Sequence, residues 1–251
     1  MRFWILRYFA AMLGAAVPAA SACDLALALA VDVSGSVDMQ EFDIQMDGLA
    51  LALRDPVISE SLVRGRAQLK LVQWTGASRQ QATIPWTQVE SFEALDRFAD
   101  RVAADQRIWR NYSTAIGEAL TFTMADFAEV ADCTRLLIDV SGDGPSNEGL
   151  DPKEVQAELR RRNITVNAIA IEESEADLTA YFFENVIVGE GAFVVTAAGF
   201  DEYPARIRKK LLREVTHQTA SQNPGAPALT RDAAKGQGTE FARAETSFSP
   251  L

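Results

Sequence analysis

Histidine and cysteine are scarce in this chain of 251 residues, which contains one histidine and two cysteines. The one histidine, His217, lies at the edge of the C-terminal tail, and no Gly-x-Ser-x-Gly elbow occurs, so a serine hydrolase with a histidine base is excluded. The chain also lacks a Gly-x-x-x-x-Gly-Lys phosphate loop and a convincing dinucleotide fingerprint. These absences favour a binding function over most enzymatic functions.

Long apolar runs are absent after the N-terminal segment. Arg2 and Arg7 precede an apolar stretch over residues 8–17, and Ala20-Ser21-Ala22 fits a cleavage site of small residues. Residues 1–22 are therefore predicted to be a signal peptide, since the uncharged stretch is short for a bilayer. We expect an exported protein, periplasmic or secreted, with no membrane span after cleavage.

Basic residues are also fewer than acidic ones: the chain has 24 Lys and Arg against 35 Asp and Glu, which gives a formal net charge of −11. Loss of the first 22 residues, with two arginines and no acid, would make it −13. This balance disfavours nucleic acid and anionic lipid as main partners. It suits a soluble exported protein or one that collects cations.

The two cysteines, Cys23 and Cys133, have alternative interpretations. An oxidising compartment favours a disulfide between them. Ala-Ser-Ala-Cys at the cleavage site also resembles a lipobox, which would anchor Cys23 to lipid, although Ala20 stands where leucine is usual.

Short apolar segments alternate with segments of helical periodicity along residues 23–217. This alternation predicts an α/β fold with a doubly wound, mainly parallel sheet, helices on both faces and one antiparallel edge strand from an early hairpin. Residues 218–251, rich in Ala, Gly, Pro, Ser and Thr, are predicted to be a disordered tail. We predict strands over residues 24–31, 67–75, 80–86, 135–140, 164–171 and 192–196, and helices over 39–53, 92–102, 114–130, 177–185, 200–215 and from 152 onward.

Three loops that follow predicted strands carry oxygen ligands. The loop Asp32-Val33-Ser34-Gly35-Ser36 sends residues 32, 34 and 36 to the same side, and the other two loops contribute Thr114 and Asp143. Loops beyond the carboxyl ends of strands in an open parallel sheet meet where the strand order reverses. Asp32, Ser34, Ser36, Thr114 and Asp143 are therefore the candidate metal ligands.

Two carboxylates and three hydroxyls form a hard oxygen site that suits one divalent cation, Mg²⁺ first, with Mn²⁺ or Ca²⁺ possible and Zn²⁺ disfavoured. Such an ion stays under-neutralised and can accept one more anionic oxygen. A partner's Asp or Glu side chain is the expected completing ligand. A turn-and-cap role remains the alternative for any one loop alone.

These motifs resemble the von Willebrand factor A domain, whose metal-ion-dependent adhesion site reads Asp-x-Ser-x-Ser, then Thr, then Asp-Gly. The first loop, the segment Thr114-Ala115-Ile116-Gly117-Glu118-Ala119-Leu120 and Asp143-Gly144 match in order. The resemblance covers residues 24–215 and is strongest to a bacterial exported single-domain branch of unestablished function. Gly142, where the family often has Thr, and residues 111–113, which replace a Gly-rich approach to Thr114, depart from the pattern.

The resemblance implies that the strands before Asp32 and Asp143 are parallel neighbours. Cys23 and Cys133 each lie just ahead of one of these strands. It therefore implies a disulfide joining their amino ends, opposite the metal face.

The sequence thus favours an exported, monomer-capable module that binds a protein partner through its metal and has no catalysis of its own. A metal-assisted phosphoester hydrolase on Asp32 and Asp143, and a structural module without a metal-mediated partner, remain alternatives.

Two further expectations concern charged residues outside the candidate metal site. Asp139, inside an apolar strand, is interpreted as a satisfied buried acid, and the basic residues of the last helix, among them Lys210, as a solvated face.

Overall fold

A computed structural model describes residues 23–110, 112–173 and 175–221. The predicted signal peptide, residues 1–22, and residues 222–251 of the predicted tail lie outside the described residues. None of the described helices is long and apolar enough to cross a membrane.

Strands and helices alternate along the chain. The strands are β1 (Cys23–Asp32), β2 (Gln68–Trp74), β3 (Gln80–Gln88), β4 (Cys133–Gly142), β5 (Ile164–Ile171) and β6 (Val194–Ala197). The helices are α1 (Met39–Leu53), α2 (Pro56–Arg64), α3 (Phe92–Ala103), α4 (Ile116–Ala125), α5 (Pro152–Arg161), α6 (Leu178–Asn185) and α7 (Tyr203–Ser221), with short 3₁₀ helices over Asp126–Val130 and Phe200–Glu202.

The strands form one sheet in the order β3-β2-β1-β4-β5-β6. All neighbouring pairs are parallel except β2 and β3, so β3 is the antiparallel edge strand. The chain winds outward from β1 in both directions, which makes the gap between β1 and β4 the point where strand order reverses. The predicted fold is confirmed.

The central strand β1 has two different apolar faces. Leu25, Leu27 and Leu29 pack into the layer that contains α1, α2, α3 and α7, whereas Ala26, Ala28 and Ala30 face the layer of α4, α5 and α6. Side chains alternate between faces along a strand, so one ten-residue strand supplies both layers of the core. Burial on both sides accounts for its nearly continuous apolar sequence.

Three elements differ from their prediction. The sequence reading missed α2, although Asp55 caps it and Pro56 is its first residue, a pairing typical of helix starts. The third predicted helix begins at Ile116, which leaves Thr114 in the preceding loop, and its last part is a 3₁₀ turn. Helix α7 continues to Ser221, past the predicted domain end at residue 217.

The disulfide between Cys23 and Cys133 is present, with the two Cα atoms 4.4 Å apart. The two residues are register partners at the amino ends of β1 and β4. The pairing therefore joins the two central strands at the end of the sheet opposite the loops that follow Asp32 and Gly142.

A buried cluster of charged side chains lies under α7. Lys210 is fully buried, and its Nζ lies 2.5 Å from an Asp139 carboxylate oxygen and 2.7 Å from Glu214 Oε1. Asn167 donates a hydrogen bond to the same Glu214 oxygen. Burial raises the pKa of Asp139 to about 7, while the contact with Lys210 acts in the opposite direction. Lys210 thus departs from the predicted solvated face, because two carboxylates of the core surround its ammonium group.

Candidate metal centre

The first predicted loop begins at the last residue of β1. Asp32 is fully buried, and its Oδ1 accepts a hydrogen bond from the Ser34 backbone N–H at 2.7 Å. Gln45 of α1 donates to the Asp32 carbonyl at 3.3 Å and accepts from the Ser141 hydroxyl at 3.0 Å. Helix α1 therefore fixes the ends of β1 and β4 relative to each other through one buried amide.

Hydroxyl groups connect the first loop to the loop after β4. Ser36 Oγ donates to Asp143 Oδ1 at 2.8 Å, and it lies 3.1 Å from Ser34 Oγ. Ser34 and Asp143 are both buried. Four of the five predicted ligands, Asp32, Ser34, Ser36 and Asp143, thus form one cluster of oxygen atoms at the carboxyl ends of β1 and β4.

Thr114 is buried and is held by its backbone rather than by its hydroxyl group. Its N–H donates to Asn147 Oδ1 at 2.9 Å, and its carbonyl accepts from the Asn147 N–H at 2.9 Å. Two residues earlier, the Tyr112 carbonyl accepts from the Gly35 N–H at 2.8 Å. The Thr114 segment is therefore tied to both of the other loops.

Gly117 explains how the loop after β4 approaches α4. A Cβ atom at this position would lie 2.3 Å from the Leu150 carbonyl oxygen and 2.9 Å from its carbonyl carbon. Backbone atoms cannot yield as a flexible side chain can, so only glycine permits this approach. The glycine of the Thr-x-x-Gly motif acts here through packing.

The departure at Gly142 also has a local cause. A Cβ atom at residue 142 would lie 3.1 Å from the Phe182 ring and 3.3 Å from Asp32 Oδ2. Buried Trp74 lines the same space. Aromatic rings of β2 and α6 thus occupy the position that a threonine side chain would take.

Negative charge in this cluster is poorly compensated. Burial, followed by the nearby charge of Asp143, raises the pKa of Asp32 to about 8, and burial also raises the pKa of Asp143. Asp32 Oδ2 is buried without a hydrogen-bond partner. Arg107 is the nearby cation, but its Nη2 donates to the Val33 and Ser34 carbonyls, at 3.1 and 2.7 Å. Two adjacent acids are buried, and one oxygen has no partner.

These residues fit a divalent cation of the hard, oxygen-preferring kind. A buried carboxylate oxygen without a partner is costly unless a cation or donor compensates it. Within the described part of the chain, no group of three or more His, Cys, Asp or Glu side chains could hold a metal. A metal held by these residues would therefore need hydroxyl groups among its ligands.

Three residues of the site were missed by the sequence reading. Gln45 and Asn147 position the loops, and Arg107 binds the backbone of the first loop. Gln45 was detectable in principle as a polar residue on the apolar face of α1. The contacts of Arg107 with a loop more than 70 residues earlier leave no local signal.

The sheet order and the three converging loops define a von Willebrand factor A fold, as the motifs indicated. The chain belongs to the family described as a protein of unknown function, DUF1194, whose model matches residues 22–219. No curated protein matches the chain.

Solved structures with the same fold are distant in sequence. Proximal thread matrix protein 1 from the mussel byssus has 14% identity and a TM-score of 0.58 over 78% of this chain and 47% of its own. The conserved hypothetical protein BatB from Bacteroides thetaiotaomicron has 15% identity and a TM-score of 0.50 over 78% of this chain and 99% of its own. This chain thus spans about half the length of the mussel protein, and the likeness concerns the fold.

A second structure of the mussel protein contains a metal-ion-dependent adhesion site (MIDAS) motif that is occupied by zinc. It has 18% identity and a TM-score of 0.58 over 78% of this chain and 48% of its own. Zinc can therefore occupy such a motif in that protein.

Proposed function

We propose that this protein is an exported binding module that holds one divalent cation, Mg²⁺ first, on Asp32, Ser34, Ser36, Thr114 and Asp143. The bound cation supplies an open coordination position for an Asp or Glu side chain of a protein partner. The observation that carries the proposal is the buried Asp32–Asp143 pair, with Oδ2 of Asp32 unpartnered.

The charge of the site supports the choice of an anionic partner. A divalent ion keeps coordination positions that the two carboxylates do not fill, and a partner's carboxylate can replace a water there because the hydroxyl ligands are neutral. The zinc-occupied motif of the mussel protein supports a divalent cation on this fold.

The proposed module has no catalysis of its own. The site as described contains carboxylates, hydroxyls and Arg107, whose Nη2 is committed to backbone carbonyls. Hydrolysis of generic phosphoesters by the Mg²⁺-loaded protein would contradict this part of the proposal.

Isothermal titration calorimetry with Mg²⁺ and Mn²⁺ tests the site. We expect saturable binding of one ion to the wild type and its loss in Asp32→Ala. Asp47→Ala is the matched control, because Asp47 is an exposed acid on α1. Equal heats for the wild type and Asp32→Ala would discard the site.

Capture of partners from the exported proteins of the source bacterium tests the function. We expect a partner that is retained in Mg²⁺, released by EDTA and not retained by Asp32→Ala. If EDTA does not change the retention of the partner, a structural module without a metal-mediated partner is favoured instead. Finding the mature chain outside the cytoplasm, beginning near residue 23, tests export.

A further inference from the structure

The surface around the candidate metal centre divides into a basic and an acidic side. Arg79 lies in the turn after β2, and Arg110 lies in the segment after α3. Glu173 follows β5, on the other side of β1, and Asp38 and Glu41 begin α1. The pKa of Glu41 is raised first by burial and then by the charges of Asp38 and Glu173, which places these three acids together.

The two arginines of the basic side form no close ion pair. In the described part of the chain, none of the ion pairs within 4.0 Å includes Arg79 or Arg110, although Glu148, near Arg79, accepts a hydrogen bond from the Ala77 N–H. Arg110 is exposed, and Arg79 is half-buried against the Tyr112 ring, 3.6 Å from its centroid. In a chain with a net charge of −11, these cations stay available to an external anion.

Exposed apolar side chains are concentrated on the same face. Of the eight large hydrophobic side chains that are exposed in the described residues, four lie on its loops and helix start, and they are Met39, Ile108, Tyr112 and Leu150. Tyr112 is 41% exposed while its carbonyl accepts the Gly35 N–H of the first loop. Apolar groups beside a polar centre are typical of a protein-binding surface.

We infer that the face binds a protein segment in which at least two acidic residues lie among apolar ones, one acid completing the metal site and another reaching Arg79 and Arg110. This inference rests on the proposed function. The apolar side chains of the segment pack on Tyr112 and Ile108. The acids around Glu41 repel the segment from the other side and so set its direction.

Fluorescein-labelled peptides of ten residues test the inference by fluorescence anisotropy. The first alternates glutamate and leucine, the second keeps only one of its glutamates and has glutamine at the others, and the third has glutamine throughout. In Mg²⁺ the wild type should bind the first about fivefold more tightly than the second, the size expected of two exposed ion pairs. The third should not bind.

The double variant Arg79→Gln with Arg110→Gln should lose this fivefold difference while its affinity for Mg²⁺ and for the second peptide stays unchanged. Arg64→Gln is the matched control, since Arg64 is exposed at the end of α2, before β2 begins at the far end of the sheet. Tyr112→Ala should weaken both peptides, because it removes an apolar contact and the support of Arg79.

The outcomes separate this inference from the proposed function. Equal affinity of the wild type for the first two peptides, or an undiminished difference in the double variant, overturns the inference and leaves the metal-dependent site standing. Binding that is no tighter in Mg²⁺ than in EDTA overturns both. Dimerisation of the protein on addition of Mg²⁺, seen by analytical ultracentrifugation, would show that a second copy of the protein and not an acidic segment of a partner occupies the face. This result also overturns the inference.

Discussion

Two pairs of buried acids lie against the same sheet and differ in their source of positive charge. Asp139 and Glu214 share the ammonium group of Lys210, which is as buried as they are. Asp32 and Asp143 lie at the carboxyl ends of β1 and β4, and the arginine near them binds backbone carbonyls instead. The first pair has a cation of the protein between its acids, although Asp139 Oδ2 and Glu214 Oε2 also lack hydrogen-bond partners. For the second pair, the proposed function supplies the cation from outside. Four predictions test this contrast.

Lys210→Met is expected to lower the free energy of unfolding by about 3–5 kcal/mol, because it leaves two buried carboxylates without their cation. Lys209→Met, on the exposed neighbour, should change it by less than about 0.5 kcal/mol. Urea unfolding followed by circular dichroism measures both. A similar small change in the two variants would show that Lys210 does not offset the cost of burying the two carboxylates.

Mg²⁺ should stabilise the wild type by about 2.7 kcal/mol at a concentration 100 times the dissociation constant, since only the folded chain forms the site. Asp32→Asn should show no such gain, and Lys209→Met should retain it in full. Urea unfolding with Mg²⁺ or EDTA provides the comparison. Equal stabilisation of wild type and Asp32→Asn would place the ion elsewhere.

The same substitution at the two pairs should have opposite effects in EDTA. Asp139→Asn is expected to lower the free energy of unfolding by about 2 kcal/mol, because Lys210 loses one of its partners. Asp32→Asn is expected to raise it by about 1 kcal/mol near pH 7, because the pKa of about 8 means that the metal-free protein can bury Asp32 only by taking up a proton, which asparagine does not need. Two changes of the same sign would break the comparison.

The ion pair between the buried Asp55 and the exposed Arg208 is expected to contribute least to the free energy of unfolding. Burial raises the pKa of Asp55, but the hydrogen bond from Arg208 and those from the α2 backbone outweigh it, and the net shift is downward. Its stabilising effect is therefore present above the unfolded pKa of about 3.9 and is lost as pH falls through the lower folded value.

Asp55→Asn should keep the helix cap and lose only the ion pair, at a cost of about 0.5 kcal/mol near pH 7, since Arg208 is 55% exposed. The difference from wild type in urea unfolding should shrink toward pH 2. A difference that is constant with pH would assign the effect to the cap instead.

The alternation of elements was predictable from the sequence, and so were the loops that carry the five proposed ligands, because each motif lies next to a strand whose apolar run is easy to recognise. Helix α2 was not recognised, because its nine residues give a short pattern after Arg54-Asp55-Pro56 ends the preceding one. The burial of Lys210 was misjudged, since its four basic neighbours on α7 suggested a solvated face. The loop position of Thr114 depends on two hydrogen bonds between its backbone and Asn147, 33 residues later: the Thr114 N–H donates to Asn147 Oδ1, and the Asn147 N–H donates to the Thr114 carbonyl.

The alanine face of β1 determines how near α4 comes to the sheet. Ala26, Ala28 and Ala30 offer only methyl groups, against which Ile116, Ala119 and Leu120 of α4 pack in the same buried layer. A larger side chain at Ala28 would widen this layer and carry the start of α4, with Thr114 just before it, away from Asp32. The distance across the metal centre is therefore determined in part by methyl-sized residues that hold no ligand.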